Sequence, residues 1–197
     1  MSTSTGWSKI KGLIVIGFLL LLLAALIVPG LFHHVNQERS VPALLKTVMS
    51  AQEDFRANDR DGNRVADFWV RDVAGLYGYD PGKGPIQLVD KSIAKWDRTP
   101  GKGIYPGVPE EQSSIGYYFA SIKYCRESGK RVTYDEKDGR NASRYGVVAF
   151  PVERPGPGRM LTFIANESRT IFSKDTHGQP PEEFPEDPVR ENWVVVD

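Results

Sequence analysis

VPALLKTVMSAQEDFRANDRDGNRVAD, residues 41–67, decides how this chain folds. Leu44, Leu45, Val48, Ala51, Gln52 and Phe55 recur at i, i+1, i+4, i+7, i+8 and i+11, which is the spacing of one helix face. Gln52 is the only polar residue on that face, and Lys46, Ser50, Glu53 and Asp54 fall opposite. Ser40 is suited to cap such a helix, and Pro42 is tolerated in its first turn. The pattern predicts an amphipathic helix over 41–57, ended by a turn-rich acidic loop at 58–67.

Toward the N-terminus, GLIVIGFLLLLLAALIVPGLF (12–32) carries no charge over 21 residues. A bilayer core of about 30 Å requires about 20 such residues in a helix. A cleaved signal peptide has a shorter apolar region, about 7–15 residues. A retained transmembrane helix is therefore expected. Lys9 and Lys11 precede it without an acidic neighbour, whereas Glu38 and Arg39 beyond it nearly cancel. Basic residues stay inside. This assigns 1–11 to the cytoplasm and places the residues after Phe32 outside the cytoplasmic (inner) membrane, in a single-pass arrangement.

Toward the C-terminus the period changes. A short helix is predicted over 68–77, then a Gly/Pro-rich region at 80–114 with an apolar element around 86–96. IGYYFASIKY (115–124), YGVVAFPV (145–152), MLTFIA (160–165) and TIFS (170–173) read as strands. A small hairpin is expected within 125–143, which contains the turn dipeptide Asp138-Gly139, and a turn at 155–158. The apolar strands suggest a sheet covered by helix 41–57. The tail from 175 is rich in Pro, Glu and Asp and reads as extended or mobile, with Trp193 to Val196 able to dock back.

With 25 basic and 25 acidic residues, the chain lacks the basic stripe a nucleic-acid partner requires. Cys125 is the only cysteine, so no intrachain disulfide forms.

This layout resembles type IV pilins and type II secretion pseudopilins. The similarity is carried by IVPGLFHHVNQERSVPALLKTVMSAQEDFRAND, with Ala51, Gln52 and Phe55, by the DRDGNRVADFW loop, and by the terminal hairpin MLTFIANESRTIF. GYYFASI and GRMLTFIANESRTIFSKD also resemble an uncharacterised family of exported bacterial proteins with no known activity. The pilin resemblance implies an α+β fold, in which an N-terminal transmembrane helix continues into an amphipathic helix packed on a small antiparallel sheet. It also implies a non-enzymatic structural or interaction protein of the cell envelope. Its partners would be the lipid bilayer and other pilin-like subunits, met through the membrane helix. The processing motif is degenerate: Gly12-Leu13 is the nearest candidate, the fifth residue on is Gly17, and no Glu occurs in the span. The division expected is a cytoplasmic N-terminus (1–11), a membrane helix (12–32), an extracytoplasmic pilin-like domain (33–174) and a C-terminal tail (175–197).

One motif carries candidate chemistry. Calcium takes six to eight oxygens, supplied in short loops from alternate positions. Asp59, Asp61, Asn63, the Val65 carbonyl and Asp67 fit positions 1, 3, 5, 7 and 9. Position 12 is Val70, so the bidentate Glu is missing, and the nearest substitute is Asp72. Gly62 stands at position 4 rather than 6, and Arg60 and Arg64 offset part of the acidic charge. The competing reading is a solvated turn whose Asp and Asn side chains bond the local backbone. An autonomous anchored binding domain, with calcium in this loop, is thus the second functional expectation. The aromatics Tyr117, Tyr118, Phe119 and Tyr124 read as strand core and cross-strand pairs rather than as a ligand-stacking surface. No zinc-spaced Cys/His set, phosphate loop or nucleophile elbow occurs, and no enzyme is expected.

Overall fold

The computed structural model describes residues 38–152 and 160–196. The apolar run 12–32 and the turn expected at 155–158 lie outside the described residues. Among the described residues, no helix is long and apolar enough to cross a membrane. Contacts divide the chain into two units, Met1–Arg39 and Ser40–Asp197. Apart from residues 38 and 39, every described residue belongs to the second.

Helix α1 covers residues 38–57 and closes where Asn58 N–H donates to the Asp54 carbonyl (3.0 Å). Val41, Leu45, Val48 and Phe55 are fully buried, with Met49, Ala51 and Gln52 beside them. Full burial of such an aliphatic or aromatic side chain stabilises by about 1.5–3 kcal/mol, so this stripe holds the helix in place. Gln52, the polar exception, serves both partners of one backbone unit. Its Nε2 donates to the Trp69 carbonyl (2.6 Å), and its Oε1 accepts from Trp69 N–H (3.0 Å).

That clasp explains a difference from the sequence reading. Residues 68–77 are not one helix. Phe68–Trp69 form strand β1, and only Gly75–Gly78 are helical, as α2. Lys91–Lys95 form α3. The backbone of β1 is claimed by Gln52 and by the distant Arg140–Asn141, so tertiary pairing overrides local helix propensity.

Strand β2 (Tyr117–Ser121) ends earlier than expected, and the chain then crosses to a second sheet as β3 (Tyr124–Glu127). β3 turns through Ser128-Gly129 into β4 (Lys130–Thr133). Ser128 and Gly129 have φ of 48° and 74°, the left-handed pair that a two-residue hairpin requires. The expected hairpin is thus present, but turned there. Asp138-Gly139 makes a separate tight turn into β5 (Arg140–Asn141), the partner of β1.

β6 (Gly146–Pro151), β7 (Leu161–Asn166) and β8 (Ile171–Asp175) then form the antiparallel centre. β7 and β8 join through 166–169, where Ser168 N–H and Oγ both donate to Asn166 Oδ1. The tail, read as extended or mobile, is tied down instead. β9 (Glu183–Phe184) pairs in parallel with β3, and β10 (Val194–Val195) pairs antiparallel with β8. Trp193 is buried, as the docking expectation required, while Val194 to Val196 stay exposed. The main sheet runs β10-β8-β7-β6-β2.

Register sends Tyr117, Phe119, Val147, Ala149, Phe163, Ala165 and Ile171 to one face, and all are buried in the same core as the α1 stripe. Arg56 of α1 lies over the Phe68 ring, which packs on Tyr145 at the start of β6. Mixed α+β architecture with a small antiparallel sheet is the result.

Candidate functional site

Two acidic centres flank β1. The first is the loop 58–67. Asp59, with φ 46°, turns its carboxylate back on the loop and accepts Arg64 N–H with both oxygens (3.1 Å each). Asp61 accepts Asn63 N–H (3.3 Å) and Asn63 Nδ2–H (2.9 Å), and its Oδ2 also pairs with the Arg140 guanidinium. The Asn63 amide nitrogen also donates to Asp67 Oδ2 (3.0 Å), so it stands between two carboxylates. Asn63 Oδ1 accepts Val65 N–H (2.6 Å), and the Val65 carbonyl accepts Asp67 N–H (3.1 Å).

A cavity of about 450 Å³ opens here, lined by Asp61, Asn63, Val65, Asp67, Tyr79, Glu136, Lys137, Asp138 and Arg140, among others. The structure therefore brings together four of the five predicted ligands and leaves Asp59 off the cavity wall. Asp67 is 6% exposed, and its Oδ1 has no hydrogen-bond partner among the described residues. Burial is the main reason its pKa is raised, with the Asn63 hydrogen bond pulling the other way. Among the described residues, no group of three or more His, Cys, Asp or Glu side chains is set to hold a metal ion. The five-ligand loop read from spacing is not assembled as such.

No spacing or motif marks Arg140, Glu136 and Asp138 as neighbours of the loop. The only local signal was the Asp138-Gly139 turn, which reverses the chain beside Arg71 and presents Arg140. Arg140 also lies over the Trp69 and Tyr79 rings, at 5.0 and 5.3 Å.

The second centre is Asp72 with Asp97, both fully buried. Asp72, considered above as a substitute calcium ligand, is committed elsewhere. It accepts from Trp69 Nε1–H (3.2 Å), Gly75 N–H (2.7 Å), Gly103 N–H (2.7 Å) and the Tyr105 hydroxyl (3.0 Å). Asp97 accepts from Ala74 N–H (2.7 Å), Thr99 N–H (2.8 Å) and Thr99 Oγ1–H (2.6 Å). Burial first, then the charge of Asp72, pushes Asp97 up to about 6 against the pull of these hydrogen bonds. This knot ties 69–75 to 97–105 and thereby supports the cavity floor through Trp69, whose ring lies 4.7 Å from that of Tyr79.

The aromatic strand behaves as core. Tyr117 and Phe119 are buried, Tyr118 sits under Arg98 (4.1 Å) and Tyr124 under Arg131 (3.8 Å). Cys125 is a buried thiol against Arg144 (3.7 Å). The acidic tail is gripped by the β3–β4 hairpin. Arg126 pairs with Glu183, Arg131 with Glu182 (3.1 Å), and Ser128 and Gly129 N–H donate to the Glu186 carboxylate.

No family model, curated protein or solved structure matches this chain.

Proposed function

We propose that this chain is a membrane-anchored, non-enzymatic, pilin-like structural or interaction protein of the cell envelope. Residues 12–32 would be its anchor and the domain that follows would lie outside the cytoplasmic membrane. The observation that supports it is α1. Its apolar stripe is buried in one core with the inner face of the antiparallel sheet, and Gln52 clasps Trp69 of β1, which supports a helix-on-sheet reading. Held in this way, the helix would carry force or position from such an anchor to the sheet. Its lipid-facing half would be free to pack against neighbouring copies.

Membrane fractionation of the full chain tests the anchor. Retention through alkaline wash, release by detergent and protease access only from the outer side are expected. Recovery in the soluble cytoplasmic fraction overturns the reading. Cysteine cross-linking within 12–32 tests the packing: a ladder of multimers is expected, and monomers alone argue for an isolated anchor. Gel mobility with and without a prepilin peptidase tells whether the chain is processed after Gly12, and an unshifted mass marks a permanent anchor.

A further inference from the structure

The main sheet treats its two edges differently. Along β2 the edge is covered: Phe119 N–H donates to the Trp96 carbonyl (3.1 Å), and Arg98 N–H donates to the Phe119 carbonyl (2.7 Å). Along β10 it is open, since β8 is the only strand beside β10 among the described residues. Strand edges in contact with water usually carry a charge, a proline or a bulge that deters further pairing. β4 has Lys130 and Arg131, and β9 has Glu183. β10 and the residue after it are Val194, Val195 and Val196, which are 60%, 52% and 41% exposed. Among the described residues, no other three consecutive large apolar side chains are exposed.

Register fixes which backbone groups face outward. Val194 lies opposite Ser173, and Val196 N–H donates to the Ile171 carbonyl (2.9 Å). In an antiparallel ladder, hydrogen-bonded pairs alternate with non-bonded pairs. Val194 and Val196 therefore turn their backbone groups toward β8, and Val195 turns its N–H and carbonyl toward the open side.

We propose that β10 pairs with β10 of a second copy of this chain, antiparallel about a two-fold axis at Val195. The two Val195 residues then exchange both N–H···O=C bonds, and Val194 of each copy faces Val196 of the other. Every position in contact sets valine against valine, a β-branched cross-strand pair that suits a sheet. This self-match commits the edge to a second copy, because a two-fold contact needs one patch complementary to itself. A slip of two residues toward Trp193 would set Val195 against Trp193, whose N–H is already donated to the Pro188 carbonyl (2.9 Å). The register is therefore the one centred on Val195. Three residues a side is far below the roughly 20–30 of a standard interface, so the pairing is weak and reversible. It holds whether or not residues 12–32 cross a bilayer.

A covalent trap reads such a contact better than a sizing column. The test mixes two differently tagged full chains in detergent, one carrying Val194→Cys and the other Val196→Cys, under mild oxidant. The parent, whose Cys125 is buried, is the blank. The proposed register sets 194 directly opposite 196, within reach of a disulfide, and leaves like positions on a diagonal of about 7–8 Å, beyond it. The mixed disulfide should form at least about tenfold faster than either like pair. Val195→Lys places like charges face to face. Val195→Pro removes the outward N–H and spares the bonds of 194 and 196 to β8. Each should suppress the trap without lowering the melting temperature. Equal rates for mixed and like pairs overturn the proposal, as do the absence of cross-linking and undiminished cross-linking in either Val195 variant. So does oxidation in intact cells that joins the cysteine chains to a different protein and yields no mixed dimer.

Discussion

The Asp72–Asp97 knot and the Asp59–Asp67 loop are both acidic, and they lie on either side of one short strand. In the knot every carboxylate oxygen meets a donor, and the four donors on Asp72 come from residues 69, 75, 103 and 105. In the loop Asp59 takes only Arg64 N–H, Asp61 and Asp67 share the Asn63 amide, Asp61 also takes Asn63 N–H and the Arg140 guanidinium, and Asp67 Oδ1 goes unpaired. The loop read as the functional motif, with Asp72 only a substitute ligand to it and Asp97 in no recognisable pattern. Donor supply, rather than motif, determines whether a buried acid is fully satisfied or keeps an unpaired oxygen.

The sharpest way to break this contrast is Asp72→Ala. It strands Trp69 Nε1, Gly75 N–H, Gly103 N–H and the Tyr105 hydroxyl together. Leaving each buried donor unmet costs about 1–3 kcal/mol, so a loss of about 4 kcal/mol or more is expected by urea denaturation. A loss below about 1 kcal/mol would mean that the knot is not structural.

Asp97 gives the next effect. Its folded pKa, about 6, lies above the usual 3.8. Its contribution to stability is therefore complete below about pH 3.8 and is lost as pH rises through about 6, on the order of 3 kcal/mol by linkage. Denaturation midpoints of the parent and Asp97→Asn across pH 4–7 should diverge in slope, with the variant flatter. Parallel curves would count against it.

Gly75→Ala sharpens the comparison through packing. A Cβ at Gly75 would overlap the Trp69 indole, whose N–H the knot fixes. Overpacking of this kind costs about 1–3 kcal/mol, and tryptophan fluorescence should shift with it. An unchanged spectrum and midpoint would show that the indole has room to move.

The smallest effect belongs to Asp67→Asn without added metal. It removes a charge that has no partner on one oxygen, so stability should change by less than about 0.5 kcal/mol or rise slightly. A loss like that of Asp72→Ala would erase the distinction between the two centres.

Much of the fold was legible in the chain. The stripe through Leu45, Val48 and Phe55 gave α1, and runs such as YGVVAFPV gave the central strands to within a residue or two. Ser128-Gly129 and Asp138-Gly139 carry their turns in their own backbone preferences. The misses share one cause. β1, β5, β9 and β10 are two residues each, too short for any period to register, and each exists only because a distant strand receives it. At the site, the sequence located Asp61, Asn63, Val65 and Asp67, but Arg140 arrives from 79 positions beyond Asp61.

Local periodicity by itself determined the helix face, the central strands and the turns, because burial on one side leaves a repeat in the chain. Which carboxylate would be saturated and which would be left wanting was decided only in three dimensions. Hydrogen-bond donors such as Gly103 N–H and Arg140 are brought to their acceptors by packing, and nothing in the order of residues records that meeting.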